Sequence, residues 1–304
     1  MSFWLTRASS APVRQAAITI DDLPLGGDRS GPCEVAYIRQ LTEKLLKPFR
    51  AQHIPLIGFV NEGRCGLSKE ALRRILDLWL DSGAELGNHT YSHADLNTTP
   101  LAGYEADIEK GEPVLHAALA DRGLTLRYFR HPFLRAGTTL ETKRALEQYL
   151  ASRGYFIAPV TLDNSDYMFA AVYAAALERN DRALAGRVKQ AYVPYMESIC
   201  AFFEQRSVEV AGHEIPQILL IHVNRLNSET MPALLAMMRA RGYRFISLEH
   251  ALEDPAYNLP DNYAGTGGFS WIHRWSKTKG MSNKGEPDEP AFITKQWQAL
   301  QHAH

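Results

Sequence analysis

The chain has 304 residues, 45% of them hydrophobic and 22% charged, with a net charge of −1, the profile of an ordinary globular protein. A near-neutral balance without long Lys or Arg runs argues against a nucleic-acid partner held by bulk electrostatics. No stretch approaches the roughly 18 consecutive apolar residues that span a bilayer.

From the N-terminus, residues 1–13 carry one Arg and no apolar run long enough for a signal peptide. That implies a cytoplasmic protein if the chain is complete there, and a periplasmic or secreted one if an export signal has been removed. Short β-branched runs at 16–20, 54–60, 84–89, 127–130, 155–162, 217–223 and 244–248 read as strands. Between them the spacing predicts helices. In 34–50, Tyr37, Ile38, Leu41, Leu45 and Leu46 recur at three- and four-residue steps, and 69–80, 104–120, 140–152 and 229–241 behave likewise. Two more helical stretches, 169–179 and 184–205, fall between the fifth and sixth strands, with Asn180 and Asp181 as break and cap. The alternation implies parallel strands with right-handed crossovers. Seven strands suit an α/β barrel one strand short of the usual eight, with an open doubly wound sheet as the rival. A dinucleotide fold is disfavoured because the turn after the first strand lacks G-x-G-x-x-G.

The domain reading is a (β/α) barrel over 1–256 with a helical insertion at about 168–210, then an irregular extension over 257–304 rich in Gly, Pro, Asn and Lys. Trp271 and Trp275 in that extension either anchor it to the barrel or stack on a bound ligand, and anchoring is preferred. Cys33, Cys65 and Cys200 are odd in number and widely spaced, which reads as buried or idle thiols and not as a disulfide framework or thiolate metal site.

The polar residues gather at strand ends. Asp21 and Asp22 follow the first strand, Asn61 and Glu62 the second; His89 ends the third, with His93 four residues on. Arg130 ends the fourth, Asp163 the fifth, and His222 lies near the end of the sixth. Parallel strands deliver these ends to one face, where α/β enzymes keep their sites. Each has an ordinary alternative: a turn or helix cap for the Asp pair, a chance spacing among eleven His, a core His, a structural Arg. Their convergence favours hydrolytic metal chemistry. Two imidazoles and a carboxylate leave a zinc position open for water, a second carboxylate can take a proton, and a further His can protonate a leaving amine.

Five ordered segments carry a resemblance. Thr19-Ile20-Asp21-Asp22-Leu23-Pro24, His89-Thr90-Tyr91-Ser92-His93, Phe129-Arg130-His131-Pro132-Phe133, Asp163-Asn164-Ser165-Asp166-Tyr167 and Leu220-Ile221-His222 are similar, in order, to the five motifs of the polysaccharide deacetylases, carbohydrate esterase family 4. The resemblance implies a distorted (β/α)7 barrel and a metal-dependent hydrolase that removes an N-acyl group, such as acetyl, from an amino sugar, oligosaccharide or glycan. By position, Asp22, His89 and His93 would hold the metal, zinc foremost, with cobalt or nickel as substitutes. Asp21 would be the general base and His222 the general acid. Arg130 would orient Asp21, Asp163 would bond the far nitrogen of His222, and the Phe133 backbone N–H would help bind the oxyanion. Phe133, Tyr167, Asn61, Leu23 and Leu220 are the substrate-side candidates.

The partner implied is a carbohydrate or another small N-acylated compound, with no nucleic acid and no membrane span; assembly state is left open. Leu23 stands where the family has Gly, which would add bulk at the substrate floor. Tyr167 replaces a Trp, and Val223 an acidic residue. Hydrolysis of a cyclic imide or ureide remains an alternative, as does, more remotely, a silent carbohydrate-binding protein. The first inserted helix should emerge beside the metal, with Phe169, Tyr173 and Tyr167 forming one side of a deep cleft that prefers small sugars, short oligomers or chain ends.

Overall fold

In a computed structural model, residues 13–27 and 31–302 are described. Seven strands and eleven helices follow one another as β1 (Arg14–Leu23), α1 (Val35–Gln52), β2 (Leu56–Val60), α2 (Lys69–Leu80), β3 (Glu85–Asn88), α3 (Leu101–Lys110), α4 (Pro113–Ala120), β4 (Tyr128–Phe129), α5 (Leu140–Ser152), β5 (Phe156–Ile157), α6 (Asp166–Glu178), α7 (Arg182–Ala211), β6 (Gln217–His222), α8 (Arg225–Ala240), β7 (Tyr243–Ile246), α9 (Leu248–Ala251), α10 (Trp271–Thr278) and α11 (Ala291–Gln301). All seven expected strands are present. The predicted helix at 104–120 is two helices, because Pro113 has no N–H to continue a ladder. The freed amides of Val114 and Leu115 are instead taken by the Glu62 carboxylate at 2.7 and 2.8 Å. Glu62 is a helix cap from the end of β2.

The strands pair in parallel in the order β5-β4-β3-β2-β1-β6, and β7 pairs with the start of β1. The sheet curls until Leu162, beyond β5, bridges Leu219 of β6, giving a distorted (β/α)7 barrel. β1 is buried over its last eight residues and pairs with β2, β6 and β7. Strands covered on both faces read as continuous apolar runs. The main core fills the space between the sheet and its helices, with Trp79, Phe49 and Phe203 among its largest buried side chains.

Two expectations are corrected. Cys33 and Cys65 form a disulfide, with Cα atoms 5.1 Å apart, and only Cys200 is a buried free thiol. Their separation of 32 residues gives no hint of this pairing. It arises because the segments after β1 and after β2 emerge on the same face of a parallel sheet. The extension from 257 onward is not irregular throughout, since α10 and α11 lie within it. Trp271 and Trp275 are 9% and 1% exposed, the Trp271 amide donates to Val160 O at 2.7 Å, and Trp275 meets the Tyr257 ring edge-on at 5.7 Å. These rings anchor the tail. No helix of the described residues is long and apolar enough to cross a membrane.

Trp275→Ala should therefore cost about 3–5 kcal/mol, the usual loss for a buried aromatic. A lower Tm with unchanged metal binding is the expected result; an unchanged Tm would contradict an anchoring role.

Candidate active site

Side chains on a strand alternate between faces, so Asp21 and Asp22 would ordinarily point apart. The pairing of β1 with β2 is irregular between Ile20 and Leu23, and Asp22 has φ 66. That left-handed residue breaks the alternation, and both carboxylates line one cavity of about 850 Å³. Thr90, His93, Phe133 and Leu134 also have positive φ, at 63, 58, 55 and 54. Non-glycine residues held in this region are strained, and of these Asp22, His93, Phe133 and Leu134 line the same cavity.

Asp22, His89 and His93 offer ligand atoms that all lie within 4.8 Å of one another. Asp22 Oδ1 is 3.6 Å from His89 Nε2 and 3.4 Å from His93 Nε2. His89 Nδ1 donates to Arg130 O at 2.8 Å, because a carbonyl can only accept, so Nε2 carries the free lone pair. Burial, with His93 beside it, drives the His89 pKa well below its usual value, so the ring is neutral, as a ligand requires. Burial would raise the Asp22 pKa, but His93, Arg64, His222 and His89 together hold it well below the carboxylate range. Its buried Oδ1 has no hydrogen-bond partner. Two imidazoles, one ionised carboxylate and an unpartnered oxygen fit a divalent cation of the zinc type.

Asp21 has a different setting. Burial pushes its pKa up to about 6 against the pull of Arg130, whose Nη1 is 3.6 Å from Oδ2. Arg130 is fully buried, with its guanidinium 4.7 Å from the Phe59 ring centroid and Nη2 donating to Thr19 Oγ1 at 2.9 Å. Asp21 Oδ1 has no partner. A carboxylate near neutral pKa beside a ligand trio is suited to taking a proton.

The register of β1 with β6 sets His222 beside Asp21. The residue that holds its far nitrogen is Asp166 and not Asp163. Asp166 Oδ1 accepts from His222 Nδ1 at 2.7 Å, and Oδ2 accepts from His222 N at 2.9 Å and Asn227 Nδ2 at 2.7 Å. Asp163 instead accepts from the Asn164 amide at 2.9 Å, and burial raises its pKa to about 6. Both Asp residues belong to the fourth motif, and spacing alone does not say which one starts α6 and meets β6. Burial works to lower the His222 pKa, but Asp166, with Asp22 and Asp21, raises it from 6.5 to about 10.

The substrate-side candidates separate. Phe133 is 50% exposed with its ring 4.3 Å from that of His93, Tyr167 is 47% exposed, and both line the cavity, as does Leu220. Asn61 does not: it is fully buried, and its amide donates to His89 O and, at 3.2 Å, to Thr90 O, so it braces the ligand loop. Leu23 is also fully buried and packs toward Gly58, so it forms no substrate floor. Phe169 and Tyr173 are 0% and 4% exposed, and the Tyr173 hydroxyl bonds Glu229, so neither walls the cleft. That side is built by Tyr167, Ala170 and Ala171 of α6 and Tyr195 of α7. Residues unassigned from sequence complete it: Arg64, 4.0 Å from Asp22, and Glu286, Asp288, Glu289, Trp297 and Leu300 of the tail. No periodicity marks the tail residues as cavity-lining. Gly268 is required where the tail crosses the third motif, since a Cβ there would lie 1.7 Å from Phe133 O.

A group whose pKa rises on folding contributes full stability below its unfolded value and loses it as pH climbs through the folded one. The metal-free protein should thus lose stability relative to Asp166→Asn as pH rises from 6.5 toward about 10. Urea midpoints of the two proteins across that window test this; parallel pH curves would contradict it.

Residues 8–155 match the family described as polysaccharide deacetylase, which takes in the segments of Asp21 and Asp22, of His89 and His93, and of Arg130. No curated protein matches the sequence. Among solved structures, a mutant of a CE4 family pseudoenzyme from Bacillus anthracis is 16% identical, covering 80% of this chain and 68% of its own, at a TM-score of 0.52. That likeness speaks to the fold alone. A family 4 carbohydrate esterase from Streptomyces lividans in complex with acetate is 18% identical over 80% of this chain and 97% of its own, at a TM-score of 0.49. The peptidoglycan deacetylase PdaC from Bacillus subtilis is 18% identical over 81% and 95%, at 0.47. The match covers residues 8–155, just under half of the chain, and with all five motif segments arranged on a (β/α)7 barrel the chain is similar to the polysaccharide deacetylase family.

Proposed function

We propose that the protein is a metal-dependent hydrolase that removes an N-acyl group from an amino sugar or a short oligosaccharide. The observation that carries this reading is the Asp22, His89 and His93 trio, with ligand atoms within 4.8 Å of one another, beside the unpartnered carboxylate oxygen of Asp21. The trio would hold a divalent cation, zinc by its donor set. The chemistry such a cation supplies is Lewis acidity, which polarises an acyl oxygen and acidifies a nearby water.

The chain's own groups move the protons. Asp21 accepts one from the attacking water on its carboxylate, with Arg130 keeping that carboxylate oriented and Thr19 Oγ1 fixing the guanidinium. His222, protonated at neutral pH, gives the proton on Nε2 to the departing amine while Asp166 retains the one on Nδ1. Phe133 and Tyr167 flank the reacting group as exposed rings, and the Phe133 N–H is the oxyanion donor in this reading.

Metal analysis and acetate release separate the roles. Asp22→Ala, His89→Ala and His93→Ala should each lose the metal. Asp21→Asn should keep it while kcat falls by about 10²–10⁴-fold, the usual worth of a general base. Full occupancy in a ligand variant would remove that residue from the set. Loss of metal in Asp21→Asn would reverse the assignment of the two carboxylates. A zinc-loaded protein that releases no acetate from any N-acetylated sugar would refute the function itself.

A further inference from the structure

The tail contributes a wall to the catalytic cavity that none of the five motifs foresees. Ser165 Oγ donates to Glu289, tying the segment after Gly285 to the N-terminus of α6. α11 packs along α6, burying Ile293 and Leu300, and places Trp297 against Tyr167 with ring centroids 6.1 Å apart. Glu286, Asp288 and Glu289 line the cavity on this side, as does Asp163.

Asp163 feels the charges of His222 and Arg130, but the three tail carboxylates have little to neutralise them. Among the described residues no Lys or Arg lies within ion-pair distance of any of them. His273 Nδ1 is 3.6 Å from Glu286 Oε2, but burial, with Arg206 and Lys277 nearby, lowers its pKa to about 4 and leaves it neutral. Burial and repulsion from Asp163, Glu289 and Asp288 push Glu286 up to about 7. Arg64 and Arg135, which also line the cavity, are placed elsewhere, near Asp22 and Asp95. Two observations independent of this acidic group mark the cavity as built for a ligand. Asp21, 2% exposed, and Asp22, 6% exposed, both line it, each with an Oδ1 that has no partner. Tyr167 also presents a ring that is 47% exposed.

We propose that residues 286–301 build a cation-accepting subsite into the catalytic cavity, which recognises a free ammonium group on a short N-acylated amino sugar. The ring pair Tyr167 and Trp297 supplies a face for the sugar and, at its π surface, a further attraction for the cation. The carboxylates supply the charge. Bringing an ammonium among them relieves a repulsion that folding alone leaves in place. The ligand class follows from the chemistry of the wall: a compact amine-bearing saccharide, such as a partly deacetylated oligosaccharide, in preference to its fully acetylated neutral counterpart. This assignment of the acyl group rests on the deacetylase reading above, whereas the subsite itself does not.

Binding of a pair of unreactive disaccharides tests it. The disaccharide of two glucosamine units carries amines where cellobiose carries hydroxyls, and neither has an acyl group to lose. Partly exposed ion pairs each contribute modestly, and two or three together amount to about tenfold in Kd. Calorimetry on the zinc-loaded full chain should show the diamine bound about tenfold tighter than cellobiose. In the double variant Glu286→Gln with Asp288→Asn, which leaves the Ser165 contact with Glu289 intact, the preference should fall to about twofold or less. Equal affinities in the unaltered protein, including no binding of either, would overturn the subsite, as would an undiminished preference in the double variant. Acetate release from the half-acetylated and fully acetylated disaccharides completes the test. A binding preference with no acetate from either would support the subsite while refuting the deacetylase reading.

Discussion

Parallel pairing of β1 with its neighbours is the constraint from which the site follows. β6 runs alongside β1 in a register that sets His222 opposite Asp21, and β2 holds the other side through Leu56, Ile57 and Gly58. Because β1 is enclosed by three strands, its end cannot shift without breaking ladders on both sides. The irregularity after Ile20 then turns two successive carboxylates into one cavity. A regular strand would have sent one of them away.

Two adjacent aspartates acquire different chemistry from their surroundings alone. Asp22 faces His93, Arg64, His222 and His89 and stays ionised, the state that the proposed ligand role needs. Asp21 is dominated by burial, which Arg130 offsets only in part, and its pKa is pushed up to about 6, the range that the proposed base role needs. Environments that push like groups apart in this way are what acid–base catalysis needs. His222 is more tightly held. Asp166 accepts from His222 on both the ring and the backbone and from Asn227, whose own oxygen takes the Tyr192 hydroxyl at 2.7 Å. A satisfied network of this kind locks one ring orientation.

The tail is the part of the site that this chain adds to its barrel. It is pinned by Trp271 and Trp275 at one end and by α11 against α6 at the other. Just before Trp271, Gly268 passes under Phe133, so the tail touches the third motif as well as the fourth. Its rings and carboxylates therefore share a cavity with the reacting groups and do not form a separate surface. The proposed subsite follows from that shared cavity.

Much of the fold was legible because strand and helix periods are local properties. Alternating runs of the two kinds also dictate parallel strands, and parallel strands dictate a common face for Asp21, Asp22, His89, His93, Arg130 and His222. The sequence by itself thus determined the barrel class and the face on which these groups meet. It could not decide whether Asp163 or Asp166 meets His222, since both lie in one short motif and only the start of α6 orients one toward β6. Asn61 looked substrate-facing because it follows a strand and Leu23 because it stands where the family has Gly, yet each turns inward, one to the His89 and Thr90 carbonyls and one to the core. The Cys33–Cys65 bond and the acidic wall at 286–289 join segments far apart in the chain. Such contacts leave no periodic trace, because they depend on where independently folded elements come to rest in space, and only the tertiary structure decides that.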